Sequence, residues 1–118
     1  MDLRQLFNNL LLEVGFTPTS IYKHWEDLEK AYTTKLRQYH NLRHIEAMIS
    51  SFEKYKEELE FPNEVLYSIF YHDIIYKTTR KDNEEKSAEY ALKILPKNTT
   101  LNRVLIYDMI SATKLHQK

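Results

Sequence analysis

Apolar residues recur at intervals of three and four along nearly the whole chain, which is the period of amphipathic helices. That pattern, with the cap signals between its runs, predicts six helices. The first runs from Asp2 to Val14 through Leu3, Leu6, Phe7, Leu10 and Leu11, and Gly15 follows as a stop in the left-handed conformation. Thr19 or Ser20 caps a second that carries Ile21, Trp25, Leu28 and Tyr32, and a polar stretch from Thr33 to Tyr39 ends it. Leu42, Ile45, Met48, Ile49, Phe52, Tyr55 and Leu59 mark a long third helix, broken by Pro62. The fourth starts at Asn63 and reads through Val65 to Tyr76, apolar nearly all round, so it is expected to run through the middle of the domain. After a polar loop from Lys77 to Lys81, Asp82 and Glu85 have the spacing of a capping box and open a fifth helix through Ala88, Ala91, Leu92 and Leu95, which Pro96 ends. Thr99 or Thr100 caps the sixth, which continues through Leu101, Val104, Leu105, Ile106, Met109, Ile110, Ala112 and Leu115. No repeat or linker divides the chain, so the expected architecture is all-α: one compact bundle of about six helices over residues 1–118.

Composition supports this picture and narrows the chemistry. The 118 residues include one Gly, three Pro and no Cys. A single glycine cannot build a phosphate-cradling loop or a dinucleotide fingerprint. The absence of cysteine excludes a disulfide framework, a thiolate zinc site and a cysteine nucleophile. Seventeen Lys and Arg balance seventeen Asp and Glu, which argues against binding to extended nucleic acid by counterion release. The longest apolar runs are a few residues, as in Leu10 to Leu12, so no membrane partner is expected and a cytoplasmic location is the natural one. Any metal site must use histidines and carboxylates.

The fourth segment places His72 and Asp73 inside an apolar run. Burying a carboxylate without a partner costs several kcal/mol, so Asp73 needs an ion pair, backbone hydrogen bonds or a metal. The plainest arrangement is a partly wet stripe on which His72 and Asp73 pair with Arg43 or a lysine. His40 and His44 lie four apart at the start of the third helix, on one face, where two imidazoles can converge on one ion or anion, although such a pair is more often a solvated surface. His44, His72 and Asp73 together would supply ligands from two facing helices, as bundle folds do when they bind metal.

Taken in order, Tyr39-His40-Asn41-Leu42-Arg43-His44-Ile45, Phe70-Tyr71-His72-Asp73-Ile74-Ile75-Tyr76, Asp82-Asn83-Glu84 with Ser87-Ala88, and Ser111-Ala112-Thr113 with His116 resemble the successive motifs of the metal-dependent phosphohydrolases of the HD superfamily. The first is also similar to the Tyr-His-Asn-x-x-His segment of the related cyclic nucleotide phosphodiesterases. The resemblance implies that His44, His72 and Asp73 are direct ligands of a divalent metal ion (Mn, Fe, Ni, Co, Zn or Mg), and that His40 faces the substrate as proton donor or phosphate contact. It places Asp82, Asn83 and Glu84 near the pocket, with Asp82 and Glu84 as catalytic candidates, although Asp82 serves equally well as a helix N-cap. His116 corresponds to a late histidine of the family. Arg37, Arg43 and Lys77 are the nearby cations that could hold phosphate oxygens.

The implied activity is hydrolysis of a small phosphorylated substrate, a phosphomonoester or phosphodiester with nucleotides among the candidates, by water activated on the ion. One departure from the pattern stands out. The family completes its metal shell with a further Asp downstream, and Asp108, the only acid after Glu89, does not match that position. Its stripe with Leu101, Leu105, Ala112 and Leu115 suggests a buried acid, either a core group or a substitute ligand. The expectation is therefore a family domain lacking its C-terminal part. A helical binding module on the same scaffold, or a nucleotide binder without hydrolysis, is the alternative.

Overall fold

The computed structural model describes residues 2–34, 41–77, 79 and 81–113. Those residues form six α-helices: α1 (Leu3–Glu13), α2 (Pro18–Tyr32), α3 (Leu42–Tyr55), α4 (Pro62–Tyr71), α5 (Asn83–Lys93) and α6 (Arg103–Ala112), with a 3-10 turn at Lys56–Glu58. The radius of gyration, 13.4 Å, is what one compact domain of this length requires, about 13.5 Å. Among the described residues no helix is long and apolar enough to cross a membrane.

The helix ends follow capping chemistry, with shifts from the predicted positions. Asp2 caps α1 by accepting the Gln5 N–H, and Asn41 caps α3 by accepting the Arg43 and His44 N–H groups. At the start of α2, Pro18 takes the first turn after Thr17, ahead of the predicted Thr19 or Ser20, because a missing N–H is harmless there. Pro62 does the same for α4, one residue before the expected Asn63. Asn102, rather than Thr99 or Thr100, caps α6 by accepting the Leu105 N–H. Thr99 instead donates its hydroxyl to the Val14 carbonyl, tying the α5–α6 loop to the end of α1. Asp82 is the N-cap residue of α5 as predicted, but its backbone is not extended (φ −112°, ψ 25°) and its side chain makes no capping bond to the first-turn N–H groups.

Gly15 behaves as expected. Its φ is +110°, the Phe16 N–H bonds the Leu11 carbonyl and the Gly15 N–H the Leu12 carbonyl, and Phe16 and Leu11 are both buried, which together make a Schellman ending. A Cβ at this position would lie 3.4 Å from the Thr99 Cα. Gly15→Ala is therefore expected to lower stability by about 1–2 kcal/mol, mainly through the left-handed backbone, measured as an earlier urea midpoint at unchanged slope.

The core is centred on α4, which buries Leu66, Tyr67, Ile69, Phe70 and Tyr71 and packs against α1, α3, α5 and α6. Phe7 of α1 sits edge-on to Phe70 with ring centroids 5.1 Å apart and also meets Trp25 and Tyr71. Glu64, buried in the first turn of α4, accepts the Asn102 N–H at 2.8 Å and so holds the start of α6. Ile106 and Ile110 are the buried face of α6. Asp108 is exposed, which corrects the buried stripe expected for it: at 100° per residue it lies on the opposite side of the helix from Ile106 and Ile110.

Candidate metal centre

The fourth helix stops five residues short of the predicted Tyr76, and that early stop shapes the site. A continuing helix would pair the Asp73 N–H with the Ile69 carbonyl and the Ile74 N–H with the Phe70 carbonyl. Here the Ile69 carbonyl accepts Nδ1–H of His72 at 2.7 Å, and the Phe70 carbonyl accepts the Tyr32 hydroxyl at 2.9 Å. The Asp73 N–H donates to that same hydroxyl at 3.1 Å, and the Ile74 N–H turns back to Tyr71. His72 is thus the C-cap of α4, and Asp73 lies just beyond it.

The chain after Asp73 is held by α5. The Ser87 hydroxyl accepts the Ile75 N–H and donates to the Ile75 carbonyl. One turn earlier, the Asn83 side chain accepts the Lys77 N–H and donates to the Lys77 carbonyl. Two α5 side chains four residues apart therefore take the backbone groups of two residues two apart, a pairing that suits an extended segment and not a helix.

His44, His72 and Asp73 converge as the sequence predicts. Each offers one ligand atom, and these atoms all lie within 4.8 Å of one another, so the group could hold a metal ion. His44 comes from the first turn of α3 and is exposed, whereas His72 and Asp73 are 2% and 1% exposed. The partly wet stripe is not observed, because Tyr32 and α5 enclose the end of α4. The His44 and His72 rings are 5.4 Å apart. With the His72 proton on Nδ1, Nε2 presents its lone pair to Asp73 Oδ2 at 3.2 Å. Two acceptors at that distance attract only with a proton or a cation between them.

The donor set therefore fits a divalent ion. An Nδ1–H bond to a backbone carbonyl is the usual support of a metal-binding imidazole. Metal–donor bonds of about 2.1 Å in tetrahedral geometry put two donors about 3.4 Å apart, so the widest pair draws in by up to about 1.4 Å. That adjustment falls to His44, the one exposed residue of the three. The carbonyl end of α4 adds partial negative charge beside the group, which favours a cation.

The other candidates fall elsewhere. Glu84 is buried in the first turn of α5 and Asp82 is half-buried at its start, and neither joins the ligand group. Asp108 is not part of it either. Arg43 and Lys77 are exposed. His40, Arg37 and His116 lie outside the described residues. Tyr71 precedes His72 but belongs to the core, where its ring lies among those of Tyr67 and Tyr90 and burial pushes its phenol well above the usual range, so it keeps its proton.

Two residues that shape the centre, Asn41 within the first motif and Tyr32 on the second helix, had no such role assigned from the sequence. Asn41 carried a readable signal, since an Asn directly before a helical run is a cap. Tyr32 carried none, because its spacing is that of any core aromatic. The class that fold and site define is an all-α protein with a buried His–Asp pair and a third histidine grouped so that they could hold a metal. Comparison with family models, with curated proteins and with solved structures found no match to this chain.

Proposed function

We propose that the chain is a phosphohydrolase of the HD type, dependent on a divalent ion held by His44, His72 and Asp73 and acting on a phosphomonoester or phosphodiester, with nucleotides among the candidate substrates. The observation that carries this reading is the convergence of those three side chains from α3 and the end of α4. When bound, the ion supplies Lewis acidity toward a phosphoryl oxygen and toward water. The Ile69 carbonyl holds the His72 ring in the tautomer whose Nε2 is a ligand. Asn41 fixes the start of α3 and so the place of His44, next to the exposed Arg43, whose guanidinium suits phosphate oxygens. The family resemblance gives His40 the proton for the leaving oxygen and places Asp82 and Glu84 in supporting roles.

The test is phosphate release from p-nitrophenyl phosphate and its bis ester by protein purified without chelator. Activity is expected to disappear with EDTA and to return with Mn²⁺ or Ni²⁺. Absence of both phosphate release and any melting shift on ion addition would sink the proposal. The direct His72 Nε2–Asp73 Oδ2 contact favours a second reading, a non-catalytic helical module in which the pair is a buried polar network. That reading expects His72→Ala to unfold the protein and ions to have no effect.

A further inference from the structure

We propose that Tyr32 is a positioning residue of the metal centre: its hydroxyl ends α4 at the point that turns the Asp73 carboxylate toward His72 and His44, and so sets the affinity for the ion. The inference rests on the metal reading above. Tyr32 is 1% exposed and lies at the last turn of α2, a helix that supplies no ligand. Its hydroxyl donates to the Phe70 carbonyl and accepts the Asp73 N–H, so one oxygen takes a backbone group on each side of the helix end.

Removing only that oxygen leaves two buried backbone groups to be satisfied. The nearest repair is helical. The Ile74 N–H can take the Phe70 carbonyl, and the Asp73 N–H can take the Ile69 carbonyl in competition with His72 Nδ1. An added helical turn rotates Asp73 about the α4 axis and loosens the bond that orients His72. Both ligands are disturbed by the loss of an atom that is not a ligand.

Tyr67 provides the control. Tyr67 is as buried, and its hydroxyl also donates to a backbone carbonyl, that of Ala91 on α5 at 2.7 Å. A merely structural Tyr32 would behave as Tyr67 does. The experiment compares Tyr32→Phe and Tyr67→Phe with wild type by calorimetric titration with Mn²⁺ and Ni²⁺, by the visible absorption of added Co²⁺, and by thermal melting. Both variants are expected to melt earlier. Only Tyr32→Phe is expected to raise the ion dissociation constant, by about 10- to 100-fold as for loss of a partner that supports a ligand, and to alter the Co²⁺ spectrum.

Equal dissociation constants in wild type and Tyr32→Phe, or equal weakening in both variants, would overturn the inference while leaving the metal reading intact. A wild-type protein that binds none of the three ions overturns both. Should Tyr32→Phe fail to fold, 3,5-difluorotyrosine at position 32 keeps the ring and weakens the hydroxyl as an acceptor. Affinity is then expected to fall with the analogue at 32 and not with the same analogue at 67, and no difference between the two overturns the inference.

Discussion

Asp73→Asn is expected to abolish the stabilisation that divalent ions give the wild-type protein while leaving the helical fold in place. At an ion concentration of about 100 times the dissociation constant, binding to the native state alone adds about 2.7 kcal/mol. For a chain of this length that is a rise of about 10 °C in melting temperature. The amide of Asn is a neutral and weaker ligand. Loss of a residue that merely supports a ligand costs about 10- to 100-fold in affinity, so loss of the carboxylate itself costs more, and the rise vanishes. The same substitution is mild for the ion-free protein. The introduced NH₂ can donate to His72 Nε2, replacing the lone-pair contact at 3.2 Å with a hydrogen bond. Thermal melts of both proteins with and without Mn²⁺ or Ni²⁺ check this. A variant that keeps the ion-induced rise would show that Asp73 is not a ligand.

The largest loss of stability is expected from Phe7→Ala. Phe7 is fully buried, and its ring is shared by Trp25 of α2 and by Phe70 and Tyr71 of α4, so no neighbour can collapse into the space without leaving another contact. Truncations of this kind cost about 3–5 kcal/mol, against a total of about 5–15 kcal/mol for a typical domain. The expected fall in melting temperature is about 12–20 °C. Val104→Ala, at a position 71% exposed on α6, serves as control and should stay within about 0.5 kcal/mol of wild type. Comparable losses from the two would mean that the α1–α2–α4 aromatic cluster is not the centre of the core.

Much of the fold was legible because helix formation here is local. Hydrophobic period, prolines at first turns and the one glycine all act within a few residues, so the number and order of helices follow from them. Cap positions slipped where two local signals competed, as at Thr17 and Pro18 against Thr19, or where a distant group took the residue, as Val14 took Thr99. Asp108 was misjudged because an apolar stripe of four residues can be drawn on either of two faces of a short helix, and the packing of α6 on α4 and α5 selects the one through Ile106 and Ile110.

The candidate site divides along the same line. His44, His72 and Asp73 could be named from residue type and spacing, since only histidines and carboxylates remain as ligands in a chain without cysteine. That they meet, and how, could not. The run from Val65 to Tyr76 reads as one helix because every local preference in it is helical or apolar. It ends at Tyr71 because Tyr32, 41 positions from Asp73 along the chain, and Asn83 and Ser87 of α5 take backbone groups that the helix would otherwise use. Local pattern thus specified six helices and the chemistry available to them, whereas the end of α4, and with it the direction of Asp73, was decided by hydrogen bonds between residues far apart in sequence, which no period or spacing records.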